Sequence, residues 1–418
     1  VLKLVSLRFG IALVPSKVSP YLFLSHTLVP MDLSYIINEL GEEREQYLQS
    51  AAPPIFQTSM FCFKDVAAMR HSLAHESETH FYTRGNNPTT DILRKKVAAL
   101  EGAEDALVFA SGSAAIGAAV MSQLRQGEHV VCVQKPYSWT SKLLNLLLAR
   151  FGVESTMIDG TDAENFEKAI RPNTRMLFLE SPNSFTFELQ DIAAVVAIAR
   201  KHGLITILDN SYASPLNQSP IALGVDMVVH SATKYLGGHS DSVAGVLAGS
   251  KALMQQIFAS EFMTLGGIIS PFNAWLILRG LRTLPVRMKQ VAESTPQIVD
   301  FLAAHPKVAQ VYYPHHPSHP QYALAQKQQC RPAGQFSIRL QADTMEEVEL
   351  FCNSLKRFLL ACSWGGYESL IFPACTLYGS ENYENPYLHW SLIRFYVGLE
   401  EPEVLIEDLR QALETLPQ

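Results

Sequence analysis

Short apolar runs alternate with helical patterns through the middle of the chain, and this alternation restricts the fold more than any other feature. Asp105-Ala-Leu-Val-Phe109, His129-Val-Val-Cys-Val133, Met176-Leu-Phe-Leu179, Leu204-Ile-Thr-Ile-Leu208 and Val225-Asp-Met-Val-Val-His230 read as buried strands. Helical spacing fills Ala114–Leu124 and Asp191–His202 between them. Strands joined through helices give an α/β fold with a mostly parallel sheet, and ligands of such sheets sit beyond the carboxyl ends of the strands. The residues delivered there are the turn Ala110-Ser-Gly-Ser113, then Tyr137, Asp209 and Lys234, while Met176–Leu179 ends in Glu180-Ser-Pro-Asn-Ser184.

Each of these residues has an ordinary reading beside a chemical one. A lysine mostly packs its stem and leaves its ammonium in water. Lys234, however, stands just past a strand end among Ser231, Thr233, Gly237 and Gly238, where partial burial turns an amine into a nucleophile suited to a Schiff base. The Ser111–Ser113 turn opens a helix, so its free amides and the helix dipole suit a phosphate, or it merely packs tightly. It matches neither G-x-G-x-x-G nor G-x-x-x-x-G-K-[ST], which argues against a dinucleotide or nucleoside triphosphate. Tyr137 is suited to stack on a flat ring or to pack as any aromatic does. In His80-Phe-Tyr-Thr-Arg84 the phenol of Tyr82 and the fork of Arg84 could jointly hold an anion, or Arg84 is an ordinary loop charge.

A chain of 418 residues suits roughly two to three domains. With 48% apolar and 17% charged residues it reads as a globular protein, and a net charge of −7 leaves no basic footprint for nucleic acid. The scattered cysteines, with no C-x-x-C pair, suit reduced thiols in a cytoplasmic setting, and no apolar run is long enough for a membrane span. Residues 1–30 carry Lys3, Arg8, Lys17 and interrupting prolines without a cleavage motif, so they are expected to be an extension outside the fold, upstream of a start at Met31. His71 and His75 lie four apart without a third ligand nearby, and no metal is expected there; Pro314-His-His-Pro-Ser-His319 is His-rich and could suggest a metal site. Gly280–Pro285 is expected to be a turn-like junction, followed by a helix from Val286 to His305 and an α+β segment with strands Phe336–Leu340, Phe358–Cys362 and Leu392–Tyr396.

Asp209-Asn-Ser-Tyr-Ala-Ser-Pro215, Ser231-Ala-Thr-Lys-Tyr235 and Gly237-Gly-His-Ser-Asp241 together resemble the pyridoxal-phosphate enzymes of cysteine and methionine metabolism, the trans-sulfuration enzymes. The resemblance spans about residues 55 to 413. It implies fold type I, with a large mostly parallel seven-stranded sheet domain over 91–285, a smaller α+β domain over 286–418, and an arm over 31–90 that enters the neighbouring active site. It implies pyridoxal 5'-phosphate on Lys234, Asp209 at the pyridinium nitrogen, Tyr137 over the ring, and phosphate held by Gly112, Ser113, Ser231 and Thr233. Tyr82 and Arg84 would reach a neighbouring subunit's phosphate, which implies a homotetramer built as a dimer of dimers with shared active sites. Arg394, aided by Ser363, would take the substrate carboxylate. The resemblance also implies that the His-rich loop Pro314–His319 holds no metal, and none is expected.

Specificity is read from two stretches. Cys362-Ser-Trp-Gly-Gly-Tyr-Glu-Ser-Leu-Ile371 resembles bacterial cystathionine β-lyase, whose pocket carries a Ser-Trp pair like Ser363 and Trp364. Ser184 replaces the asparagine of the Glu-x-Pro-x-Asn-Pro pattern found in γ-type enzymes, and Cys362 replaces their acidic residue. Against this, bacterial β-lyase commonly carries Tyr at the Cys362 position, and Arg84-Gly-Asn-Asn-Pro-Thr89 looks more like the γ-synthase and γ-lyase side. The expected activity is a carbon–sulfur β-lyase acting on L-cystathionine or a related sulfur amino acid within methionine biosynthesis. The alternatives are a γ-synthase, a γ-lyase, or a non-catalytic protein that kept the fold.

Overall fold

The computed structural model describes residues 32–380 and 387–417, so the extension expected over 1–30 lies outside the described residues. Seven strands form the larger sheet: β1 (Asp105–Phe109), β2 (His129–Val133), β3 (Glu154–Ile158), β4 (Thr174–Glu180), β5 (Ile205–Asp209), β6 (Met227–Ser231) and β7 (Gly245–Gly249). Their order is β1-β7-β6-β5-β4-β2-β3, with β7 antiparallel to both neighbours and the rest parallel. This is the large, mostly parallel sheet of fold type I. A second sheet, ordered β10-β11-β12-β9-β8, contains β8 (Val308–Tyr312), β9 (Gln335–Leu340), β10 (Leu359–Leu360), β11 (Leu370–Pro373) and β12 (Leu392–Tyr396).

The helices begin where short polar side chains can receive the first free amides. Ser111 accepts from Ala114 N–H at 3.1 Å to open Gly112–Gln123, and Asp191 accepts from Ala194 N–H at 3.1 Å to open Ile192–His202. Apart from its half-exposed edge strand β3, the larger sheet is buried on both faces, and alternation along a strand sorts its side chains between two cores. From β1, Leu107 and Phe109 join the helix 112–123 core, while Ala106 and Val108 join the core containing Ile92 and Leu281.

The turn expected at Gly280–Pro285 does not occur. One helix runs unbroken from Pro271 to Ala303 through Gly280, Pro285 and Pro296. Proline removes a helical hydrogen bond, at Pro285 the one the Leu281 carbonyl would accept; one residue earlier, the Gly280 carbonyl accepts from Thr283 Oγ1 (3.2 Å) and Arg287 Nη2 (2.8 Å). An apolar stripe on either side of the prolines packs the helix into both cores. Ile277, Leu281 and Leu284 face the core of the larger sheet, and Ile298, Val299 and Leu302 face the core of the second. The helix is therefore an element shared by both cores.

Gly280 is where this helix meets the turn after Lys234. A Cβ there would lie 2.2 Å from the Gly237 carbonyl oxygen and 2.6 Å from that of Leu236, both backbone atoms. In an open helix, Gly→Ala stabilises by roughly 0.5–1 kcal/mol. Gly280→Ala is expected instead to destabilise by about 1–3 kcal/mol through overpacking. Thermal unfolding reads the sign, and a variant with an equal or higher Tm would contradict the close approach.

Candidate active site

A cavity of about 450 Å³ opens at the carboxyl ends of the parallel strands and is closed from above by residues of the second sheet region. Its floor carries two acids. Glu180 and Asp209 end adjacent parallel strands in direct register, and both are buried. Burial raises the pKa of each, and each carboxylate repels the other's charge. Asp209 has the better compensation, because the Ser211 amide donates to it at 2.9 Å and His230 and Lys234 both favour its charged form. Glu180 lacks a cation and is pushed up to about 8.

The anion end is formed by the start of the helix Gly112–Gln123. Gly112 lies so close to β6 that a Cβ would meet Ser231 Cβ at 3.0 Å, so the amide end of the helix abuts Ser231 and Thr233. The Thr233 hydroxyl already bonds the Ala244 backbone, accepting from its amide at 3.0 Å and donating to its carbonyl at 3.2 Å. The Ser113 hydroxyl hydrogen-bonds the phenol of Tyr137, which stands at the cavity wall.

Lys234 reaches across to the second sheet region, where its Nζ donates to Ser363 Oγ at 2.6 Å. The ammonium lies 5.4 Å from the centroid of the Trp364 ring. Burial chiefly, then the positive charge of Arg394, lowers the Lys234 pKa to about 8. Gly365 makes this approach possible: its φ of +90° is in the left-handed region, and a Cβ would sit 2.8 Å from Lys234 Cα. Arg394, at the centre of β12, donates through Nη2 to the carbonyls of Cys362 (2.9 Å) and Ser363 (3.3 Å). Its guanidinium lies beside the edge-to-face pair of Phe185 and Phe372, 5.1 Å and 5.3 Å from their ring centroids. With its amide oxygen turned toward them, Gln335 accepts from Trp364 Nε1 and Arg394 Nε, each at 3.2 Å.

Lys234, Asp209, Tyr137, Gly112, Ser113, Ser231, Thr233, Ser184, Ser363, Trp364 and Arg394 thus share one cavity. Tyr82 and Arg84 do not: both are exposed, with the Arg84 guanidinium 5.5 Å from the Tyr82 ring, outside that cavity. Sequence reasoning missed Glu180, Gln335 and the Phe185–Phe372 pair beside Arg394. An acid ending a buried strand, as Asp209 does, was a signal for Glu180; the pair joins residues far apart in sequence and left none. Two of the histidines noted above are engaged locally. His75 Nδ1 donates to the His71 carbonyl (2.9 Å), and His316 Nδ1 pairs with Ser318 Oγ (2.7 Å). Among the described residues no group of three or more His, Cys, Asp or Glu could hold a metal ion.

A helix-start anion cradle, a buried carboxylate at the far end of the same cavity and a desolvated lysine between them define a fold-type-I site that fits pyridoxal 5'-phosphate. The chain belongs to the family of Cys/Met metabolism PLP-dependent enzymes, whose pattern matches residues 35–414. It is 36% identical to L-methionine gamma-lyase of Pseudomonas putida, covering 89% of this chain and 95% of that one. It is 39% identical to cystathionine gamma-lyase of Bacillus subtilis, covering 87% and 94%. The crystal structure of metB from Corynebacterium glutamicum superposes with a TM-score of 0.85 at 34% identity, over 92% of this chain and 98% of that one. Pyridoxal phosphate is accordingly the cofactor and the protein a PLP-dependent carbon–sulfur lyase of the trans-sulfuration type.

Only a neutral amine attacks an aldehyde, so the lowered Lys234 pKa has a measurable consequence. With a pKa of about 8, about a tenth of Lys234 is neutral at pH 7, against about one part in 3,000 at the ordinary value. Uptake of pyridoxal phosphate by cofactor-free protein should accelerate as pH rises and level off above a midpoint near 8. Stopped-flow absorbance across pH measures it, and a rate still climbing through pH 10 would contradict the assignment.

Proposed function

We propose that the protein catalyses α,β-elimination on an L-amino acid bearing sulfur at Cβ, L-cystathionine being the substrate of reference, with release of homocysteine, pyruvate and ammonia. The observation that carries this reading is Trp364. Its ring is held by Gln335 at Nε1 and by an edge contact with Tyr235 (5.5 Å between centroids), and it walls the cavity beside Lys234. A γ-elimination asks the same amine to move a second proton, at Cβ, with the leaving group one carbon further out. The fixed indole favours the shorter reaction, and Cys362 brings no acid to assist the longer one.

When bound, pyridoxal phosphate supplies the electron sink that makes a Cα proton removable. The chain's residues do the rest. The start of the helix at Gly112 and Ser113, with Ser231 and Thr233, would hold the phosphate, and Asp209 would supply the negative charge for the ring nitrogen. Tyr137 would stack on the ring, and burial raises its phenol pKa, keeping it a neutral donor for a departing thiolate. Arg394, already anchored through Nε and Nη2, offers its remaining edge to the substrate carboxylate with Ser363 beside it. Lys234, once freed, takes the Cα proton; its lowered pKa lets a neutral amine exist at working pH.

We further infer a homotetramer, a dimer of dimers in which Tyr82 and Arg84 of the 31–90 arm reach a neighbour's phosphate. Their exposure outside their own cavity supports it, as does an anion end whose own-chain ligands, Gly112, Ser113, Ser231 and Thr233, are uncharged. A cytoplasmic location is in keeping with the free thiols of all six cysteines. No helix of the described residues is long and apolar enough to cross a membrane.

A second reading, α,γ-elimination, is favoured by the relatives, whose names denote γ-lyases. The keto acid separates the two. Purified enzyme given L-cystathionine should release pyruvate, and L-methionine should yield no methanethiol; 2-oxobutyrate from either substrate would install the γ-lyase reading. A protein that neither binds pyridoxal phosphate nor forms a keto acid would leave only the non-catalytic alternative.

A further inference from the structure

Glu180 is the one buried acid of the cavity for which the mechanism has no task. Each of its oxygens is engaged: Oε2 accepts from the Tyr137 backbone N–H at 2.6 Å, and Oε1 lies 2.7 Å from Ser184 Oγ. Through these contacts it holds two loops. One carries the ring of Tyr137; the other carries Phe185, whose ring lies beside Arg394. A third constraint is its register partner Asp209, which must be ionised to oppose a protonated ring nitrogen.

We propose that Glu180 works as a neutral carboxylic acid, a positioning residue that accepts from Tyr137 N–H with one oxygen and donates its proton to Ser184 Oγ with the other. This rests on the cofactor assignment above. Two carboxylates ending neighbouring strands in a dry cavity cannot both ionise cheaply, and their surroundings decide which keeps the proton. Asp209 faces the Ser211 amide, Lys234 and, through the sheet, His230. Glu180 meets the Tyr137 and Ser184 amides and the Ser184 hydroxyl, which favour its charge. These are outweighed by burial and by Asp209 from β5, and the buried thiol of Cys132 from β2 and the phenol of Tyr137 add no positive charge. The proton therefore resides on Glu180, with its pKa near 8, and Asp209 is left as the single negative charge at the ring-nitrogen end. Donation from Glu180 also fixes the Ser184 hydroxyl, whose own hydrogen is then free to point into the cavity.

A glutamine reproduces the neutral acid: its oxygen accepts from Tyr137 N–H and its NH₂ donates to Ser184. Glu180→Gln should therefore keep the pyridoxal phosphate dissociation constant and kcat/KM within about twofold of wild type. Glu180→Ala, which releases both loops, should worsen each by about tenfold. In cofactor-free protein at pH 7, the infrared difference between wild type and Glu180→Gln should contain the C=O stretch of a neutral carboxyl, fading as pH rises through about 8. The sign of linkage agrees: an acid raised from 4.5 to about 8 adds stability present below 4.5 and lost as pH rises through 8, so cofactor-free Glu180→Gln should lose that slope. Absence of the carboxyl band at pH 7, or a Glu180→Gln variant as impaired as Glu180→Ala, would overturn the proposal. Should the alanine variant not fold, the glutamine variant and the infrared band decide alone. Because the band is read without cofactor, failure of the pyridoxal phosphate assignment would show separately, as a present band in a protein that binds none.

Discussion

The hydrogen-bonded register of β4, β5 and β6 is the constraint on which the site depends. Glu180 pairs with Asp209, and Asp209 with Val229, so β4 and β5 end at one level and β6 runs two residues further, to Ser231. What leaves that level is fixed in height by backbone bonds rather than by side-chain packing. Lys234 follows three residues past β6 in a turn closed by Lys234 N–H on the Ser231 carbonyl (3.0 Å) and by Gly238 N–H on the Lys234 carbonyl (2.8 Å). A slip of one residue in any of these strands would turn Asp209 or Glu180 to the opposite face. Strands buried on both faces oppose such a slip, since it would exchange the residues of two well-filled cores.

The second sheet completes the site by contact with this frame. Gly365 abuts the Lys234 backbone, Ser363 takes its Nζ, and Gln335 ties Trp364 to Arg394. These links join β9, the 362–365 loop and β12 into one polar chain ending on the lysine. Such a chain is expensive to bury unless every member is satisfied. Arg394 shows how that is met: Gln335 and two backbone carbonyls accept from it, the Phe185–Phe372 pair lies beside it, and burial still lowers its pKa to about 10. Moving one sheet region against the other would therefore alter the carboxylate-binding fork and the lysine together. The shared helix Pro271–Ala303, packed into both cores, resists that movement.

Much of this was legible in the chain. Strands β1, β2 and β12 fall where their apolar runs begin and end, because each is a short buried run bounded by polar or turn residues. Lys234, Asp209, Tyr137 and the Ser111–Ser113 turn were recognisable because strand ends can be read locally. Strand β7, Gly-Val-Leu-Ala-Gly, was not, since two glycines bound a run too short to signal a strand and its place comes from pairing with β1 and β6. Strand β3 is half-exposed and lacks a continuous apolar run. Gly280 and Pro285 read as a junction because each disfavours a helix alone. The close approach to Gly237 and the stripe around Leu281 that override them are tertiary facts.

Glu180 shows why a site can be recognised by its residues and still be misjudged in its charges. Its identity and strand-end position were visible, yet nothing local distinguishes it from Asp209, which also ends a buried strand. The difference arises from what each meets in space. Asp209 has Lys234 and His230 favouring its charged form and a backbone amide bonded to it. Glu180 has two amides, a hydroxyl and a competing carboxylate. Placing both acids in register makes their ionisations exclusive, so whatever stabilises one charge protonates the other. Lys234 and His230 tilt that balance toward a charged Asp209, and in doing so they leave Glu180 with a proton to donate to the loop that shapes the substrate side of the cavity.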